Sequence, residues 1–217
     1  MRKKLVFFIV LAFFFGSTQV FSQNQGGGGG LSGLSAEMNF DLFTVDELSI
    51  MPSMLKVRYF INDDIAVRVS TWFDLESDQK SPESTLNYTY FAARPGVEYH
   101  LVATKEARAY AGLEVILDRA THDFDTKVGV PVTGAWDVTD IRNFENRGYL
   151  SYGAALVVGA EIYKGGSFFV GTELGFAYTT TTHSAVEYGE DLFLDESKTT
   201  SFKLDLSRML RVGFTIN

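Results

Sequence analysis

The 217-residue chain carries 27 acidic against 19 basic residues, a formal net charge of −8, and it has no cysteine. The acidic balance argues against nucleic acid as a partner, because phosphate binding needs a basic patch. Without cysteine there are no disulfides, no thiolate metal sites and no lipid-modified N-terminal cysteine.

Arg2, Lys3 and Lys4 form a basic start, Leu5 to Phe15 an apolar core, and Val20-Phe21-Ser22 supplies the residues that a signal peptidase reads. Residues 1–22 therefore read as a secretory signal peptide, since the apolar run falls short of the roughly 20 residues of a membrane-spanning helix. Cleavage after Ser22 removes three positive charges, takes the net charge from −8 to −11, and leaves 195 residues, enough for one domain. Residues 23–34 contain Gly26 to Gly30 and read as a flexible Gly-rich segment. A phosphate-binding loop would need a preceding strand and a following Lys-Ser/Thr, and neither is there.

From residue 35 to residue 217 the pattern is period-two alternation. The first strand is expected over Ser35 to Thr44, followed by a short loop to Pro52. Ser53 to Asp74 reads as a hairpin about Asn62-Asp63-Asp64. One face holds Leu55, Val57, Tyr59 and Ile61, then Val67, Val69 and Phe73. The other holds Lys56, Arg58, Arg68 and Asp74. Glu76 to Asn87 has no apolar pattern and reads as a polar loop. The fourth strand is expected over Tyr88 to Tyr99, with a bulge or strand end at Pro95. After a turn at His100 to Ala107, the fifth runs from Arg108 to Leu117. Asp118 to Arg147 reads as a long irregular stretch. The sixth strand is expected over Gly148 to Tyr163, a tight turn follows at Lys164-Gly165-Gly166, and the seventh runs from Ser167 to Thr180. An acidic loop over Thr181 to Thr199 leads to the eighth strand, Thr200 to Ile216. Arg208 breaks the apolar face of that strand, which implies either snorkelling or a bulge.

No internal apolar run is long enough for a transmembrane helix, so an exported chain of this kind enters a membrane as a closed barrel. Eight is an even strand number, and short and long connections alternate, as in bacterial barrels with both termini in the periplasm. The expected fold is an all-β, eight-stranded antiparallel up-and-down transmembrane barrel. Its inward faces would carry Glu37, Asp41, Asp74, Glu98, Glu114, Glu161, Glu173 and Asp205 against Lys56, Arg58, Arg68, Arg94, Lys203 and Arg211. Opposite charges in a narrow lumen imply a structural ion-pair network, because unpaired buried charges are costly. Eight strands leave an interior that side chains fill, and the small inner residues of strands six and seven make room for long ones. No open diffusion pore is expected.

The runs Pro52 to Arg68, Arg94-Pro95-Gly96-Val97-Glu98-Tyr99 and Ala109-Tyr110-Ala111-Gly112-Leu113-Glu114 resemble the small outer-membrane β-barrel family of OmpA-transmembrane-domain, OmpX and OmpW-like porin-family proteins. The resemblance covers essentially the whole mature chain. It implies outer-membrane localisation, with no periplasmic domain after the barrel, as in barrel-only members. The closing strand departs from the family habit of an aromatic last residue, since Phe214 is followed by Thr215, Ile216 and Asn217.

Candidate chemistry is sparse. His183-Ser184 with Glu187 is the local nucleophile–base grouping, but neighbours on a strand face opposite ways and a hydrolase needs them to meet. His122, Asp123 and Asp125 read as solvated loop residues rather than a cation site. Tyr59, Tyr99, Tyr152, Phe168, Tyr178 and Phe202 read as an interfacial aromatic girdle. The expectation is a non-enzymatic barrel without catalytic, cofactor or metal residues. It would act in membrane integrity or as a binding or accessory component, with outer-membrane lipid and, through loops 118–147 and 181–199, a protein or envelope component as partners. A secreted lipocalin-like barrel for an apolar ligand is the alternative. It would reverse the faces, with charges outside and apolar residues inside. A barrel subunit of a larger secretion or uptake complex is a third reading.

Overall fold

The computed structural model describes residues 33–41, 51–104, 106–127, 129–135, 147–164, 167–205 and 209–216. The predicted signal segment, most of the Gly-rich segment, and Arg208 lie outside the described residues. Twelve strands occur among them: β1 (Gly33–Asp41), β2 (Met51–Phe60), β3 (Ile65–Ser81), β4 (Ser84–Ala103), β5 (Ala107–Thr126), β6 (Val132–Thr133), β7 (Tyr149–Lys164), β8 (Phe168–His183), β9 (Val186–Tyr188), β10 (Asp191–Leu194), β11 (Ser197–Asp205) and β12 (Leu210–Ile216).

Antiparallel pairing runs β1-β2-β3-β4-β5-β7-β8, and β8 then pairs with β11 and β12. β12 returns to β1, from Leu34↔Ile216 to Phe40↔Leu210, and the ring closes. β11 and β12 are two parts of one eighth staff, and the register against β8 steps by two residues between them. A step of two keeps the in–out parity, so the staff presents the same faces throughout. The fold is an eight-stranded antiparallel up-and-down barrel.

Closure explains why β1 begins at Gly33, inside the segment expected to be a flexible tether: Leu34 is needed opposite Ile216. Short turns sit at one end, here the lower end, where Asn62 Oδ1 accepts the backbone N–H groups of Asp64 and Ile65. At the upper end the strands outrun the expected loops. β3 and β4 stay paired from Leu75↔Thr89 to Ser81↔Ser84, so Glu76 to Asn87 is a projecting hairpin and not a loop. It escapes the alternation rule because both of its faces meet water, while the backbone ladder needs no apolar residues. β5 likewise continues through Thr126, well into the stretch expected to be irregular. Pro95 causes neither a bulge nor a strand end. β4 pairs with β3 straight through it, and on the β5 side Arg94 and Pro95 drop out of the ladder, which resumes in the same register at Gly96↔Glu114.

The barrel is inside out relative to a soluble protein. Val67, Val69, Phe73, Leu113, Val115, Leu117, Leu156 and Phe176 are exposed on the outer wall, whereas Lys56, Arg58, Arg68 and Arg211 are among the most buried residues. The lumen side chains are layered along each strand. Going up β5, alternate inward residues are Arg108, Tyr110, Gly112, Glu114, Ile116 and Asp118. Going up β8 they are Glu173, Gly175, Ala177, Thr179, Thr181 and His183. Charge lies at the bottom, then a small apolar layer of Ile116, Ala155, Val157 and Ala177, then polar groups.

Candidate functional site

The lower lumen holds one connected ion-pair cluster with fully buried side chains. Lys56 Nζ lies 3.0 Å from Glu37 and 2.9 Å from Glu173. Arg68 donates to Glu98 at 2.6 Å, to Glu173 at 2.7 and 2.8 Å, and from Nε to Glu114 at 2.7 Å. Arg211 forks onto Glu37 at 2.9 and 2.5 Å and reaches Glu161 at 2.8 Å. Arg58 pairs with Glu161, donates to Ser35 Oγ at 3.0 Å, and lies 3.2 Å from Glu37, within ion-pair range. The Tyr110 hydroxyl accepts from Arg211 and donates to Glu173 at 2.5 Å, and Tyr163 donates to Glu161 at 2.7 Å. Forked guanidinium–carboxylate bonds are the strong kind, and their planarity fixes several strands in relative register. Burial at this density is tolerated only because each charge meets opposite charge and hydrogen bonds.

Of the residues nominated from sequence, Glu37, Lys56, Arg58, Arg68, Glu98, Glu114, Glu161, Glu173 and Arg211 come together in this cluster. Arg94 and Asp205 do not. They form a separate pair above the apolar layer, at 3.1 Å, where Arg94 also contacts Asp118 at 3.2 Å. Lys203 stands exposed in the same upper region, and Asp74, opposite Tyr90 just below the projecting β3–β4 hairpin, is exposed instead of buried in the lumen. Asp41 pairs through its backbone with Met51, and its side chain lies outside the described set.

Sequence reasoning missed Arg108, Tyr163, Asp118 and Arg147. Arg108 is buried over the rings of Phe60 at 4.9 Å and Tyr163 at 5.6 Å. The parity that puts Glu114 inside also puts Arg108 and Asp118 inside, so those two were legible. Arg147 was not. It is buried between the upper connections, bonding to the Ser184 carbonyl, to the Asp195 carbonyl at 2.8 Å and to Ser197 Oγ at 3.3 Å. Gly159 marks how tightly the lower lumen is filled, since a Cβ there would collide with the Tyr110 ring.

The two stretches expected as separate loops are stitched to one another. β6 pairs with β5 on one side and with β9 on the other, and β9 pairs with β10. Val132, Ala135 and Val186 form a small core under this sheet, with Phe124 and Leu194 packed against it. Gly134 makes the bend at φ +83°, a conformation that favours glycine.

The residues weighed for loop chemistry go separate ways. His122 stacks on Tyr88 at 5.0 Å, Asp123 accepts from the Gly134 N–H at 3.2 Å, and Asp125 accepts from Asn87 at 2.7 Å. Ser184 engages Arg147 through its carbonyl. Among the described residues no group of three His, Asp or Glu is placed to hold a metal ion. Burial holds both His122 and His183 below the ordinary histidine pKa, and nearby Arg147 pushes His183 the same way.

Above the apolar layer lies a cavity of about 500 Å³. Its walls include the Arg94–Asp118–Asp205 group, Tyr149, His183 and several hydroxyls.

No protein-family model matches the chain, and no curated protein does. Several solved structures are similar, and three of them follow. The attachment invasion locus protein Ail of Yersinia pestis is 14% identical, with 85% of this chain and 99% of that one covered and a TM-score of 0.37. The N-terminal β-barrel domain of Pseudomonas aeruginosa OprF is 14% identical over 86% and 98%, with a TM-score of 0.37. The outer membrane protein OprG from Pseudomonas aeruginosa is 11% identical over 86% and 97%, with a TM-score of 0.45. What establishes the barrel here is its own closed ring of strands.

Proposed function

We propose that the protein is an outer-membrane β-barrel with a closed lumen, acting through its upper rim and not as a pore. One observation carries this reading: charged side chains are buried inside the ring while the outer wall is a continuous apolar band. Such a surface is stable in lipid and would aggregate in water. The band has aromatic residues towards both ends, with Tyr59 and Tyr99 below and Tyr152, Tyr178 and Phe202 above, as interfacial girdles do. The lipocalin-like alternative required the opposite arrangement and is abandoned on that ground. The paired charges of the lower lumen act structurally in this reading, tying strands together and leaving no water path through the bottom. The short turns then face the periplasm, and the β3–β4 hairpin and the β6-β9-β10 sheet face outward.

The test is threefold. The protein should fractionate with outer membranes, run at different positions on SDS gels before and after boiling, and give no steady conductance in planar lipid bilayers. Release into the soluble periplasm without a heat shift would refute the membrane reading. A stable ohmic conductance would refute the closed lumen.

A further inference from the structure

The cavity above the apolar layer is a cup and not a passage. Its floor includes Ile116 and Ala177, members of the buried apolar cluster, and beneath them lies the ion-pair layer. At about 500 Å³ it falls within the roughly 300–1,000 Å³ of small-ligand pockets. We infer that this cup binds a neutral, polyhydroxylated ring, a sugar residue, from the outer side.

The lining chooses that chemistry by elimination. Arg94 already gives one terminal nitrogen to Asp205 and the other to Asp118, so the charges of this group largely offset one another, while Arg94 Nε and Asp118 Oδ1 have no hydrogen-bond partner among the described residues and offer one donor and one acceptor to a hydroxylated ligand. Lys203 brings the lining to two cations against two carboxylates, which balances it. An apolar ligand would strip water from the hydroxyls without replacing their hydrogen bonds, which is costly. The hydroxyls themselves come as two pairs on adjacent strands: Ser151 with Thr181 at 2.9 Å and Thr179 with Ser201 at 2.9 Å. Each hydroxyl both donates and accepts, so a pair can open to take a ligand hydroxyl on either side. Tyr149 adds an aromatic wall and a phenol, and Ile116 and Ala177 add an apolar floor, suited to the C–H face of a sugar ring. This inference rests on the barrel reading for its closed floor.

The ligand could be a free sugar or the terminal residue of a surface glycan, and the experiment separates these sources. Full-length protein in lipid nanodiscs is titrated with methyl α-D-glucopyranoside, methyl α-D-galactopyranoside, maltoheptaose, glucuronate and cyclohexylmethanol. At least one methyl glycoside should bind saturably, and Ser151→Ala and Ser201→Ala should each weaken it about tenfold, the loss of one good hydrogen bond. Binding of the monosaccharides alone identifies a diffusible sugar; equal or tighter binding of maltoheptaose identifies a glycan end. The inference is overturned if neither glycoside binds up to roughly 100 mM, far above the mM range in which a few contacts register. It is also overturned if both variants bind as wild type does, or if glucuronate or cyclohexylmethanol binds more tightly. Each variant is first checked for the heat shift on gels, and if one loses it, the other carries the comparison. A heat-shifting protein that binds no sugar defeats only the cup, whereas loss of the heat shift in wild type defeats the barrel.

Discussion

Arg68 is the most heavily bonded cation of the lower lumen. It donates five hydrogen bonds, shared among Glu98, Glu114 and Glu173, from a side chain with no exposed surface. Arg68→Met keeps much of the side-chain bulk and removes the charge. The neighbouring carboxylates then remain in a dry interior with one cation fewer, and removing one partner of a buried pair costs about 3–5 kcal/mol. Arg68→Lys restores the charge without the fork and should fall between wild type and Arg68→Met. Adding Glu173→Gln to Arg68→Met removes one of the stranded charges. The double variant should therefore be less destabilised than the sum of the singles, by about 1–3 kcal/mol for groups in one network. Lys80→Ala is the control: the Lys80–Asp78 pair has good geometry at 2.6 Å but is half-exposed, and should contribute no more than about 1 kcal/mol. The assay is equilibrium urea unfolding of the barrel in lipid vesicles, followed by Trp emission and by the gel shift. High salt should erode the Lys80 effect and leave the Arg68 effect nearly intact. An Arg68→Met protein within about 1 kcal/mol of wild type, or strict additivity in the double variant, would refute the claim that this cluster ties the barrel together.

Three further outcomes are expected. Leu113→Arg, at mid-wall, should cost about 2–4 kcal/mol in the same unfolding assay, whereas Leu101→Arg near the lower rim should cost only about 0–1 kcal/mol; equal costs would remove the lipid-facing assignment. Gly134→Ala should loosen the stitched upper connections but leave the barrel folded, because its Cβ would strike the Ala185 carbonyl at a bend of φ +83°. Faster proteolysis within residues 118–147, with the gel shift preserved, would be the sign. The upper cap should also weaken in acid. His122 and His183 are held below 6.5 in the folded cap, so as the pH falls through 6.5 the unfolded form takes protons that the folded form refuses. The stability these two histidines confer is complete above that value and is lost between it and their lowered pKa values. Proteolysis rates of the cap measured between about pH 8 and pH 5 should rise in acid and flatten in His122→Phe and His183→Phe.

The lower part of the barrel was readable because lipid and lumen impose opposite chemistries on alternate residues. Lys56, Arg58 and Arg68 against Val57, Tyr59 and Val67 show that directly. Where the strands rise past the lipid, the contrast vanishes and so does the signal. Glu76 to Asn87 looks like a loop in one dimension, though β3 and β4 stay paired with each other along it. Parity also says which residues are inside without saying at what height. Arg94 and Asp205 share a face with Glu98 and Arg211, yet they sit above the apolar layer in a different group.

By itself, then, the amino-acid sequence determined the strand ring, its in–out parity and the signs of the charges that the lumen holds, because these follow from an alternation that every strand repeats. The tertiary structure decided which charges meet, where the apolar layer divides the lumen, and how Arg147, β6 and β9 join two connections into one cap. Those depend on the stagger between strands distant in sequence, and stagger is set by hydrogen-bond register and packing around a closed ring, which no single strand encodes.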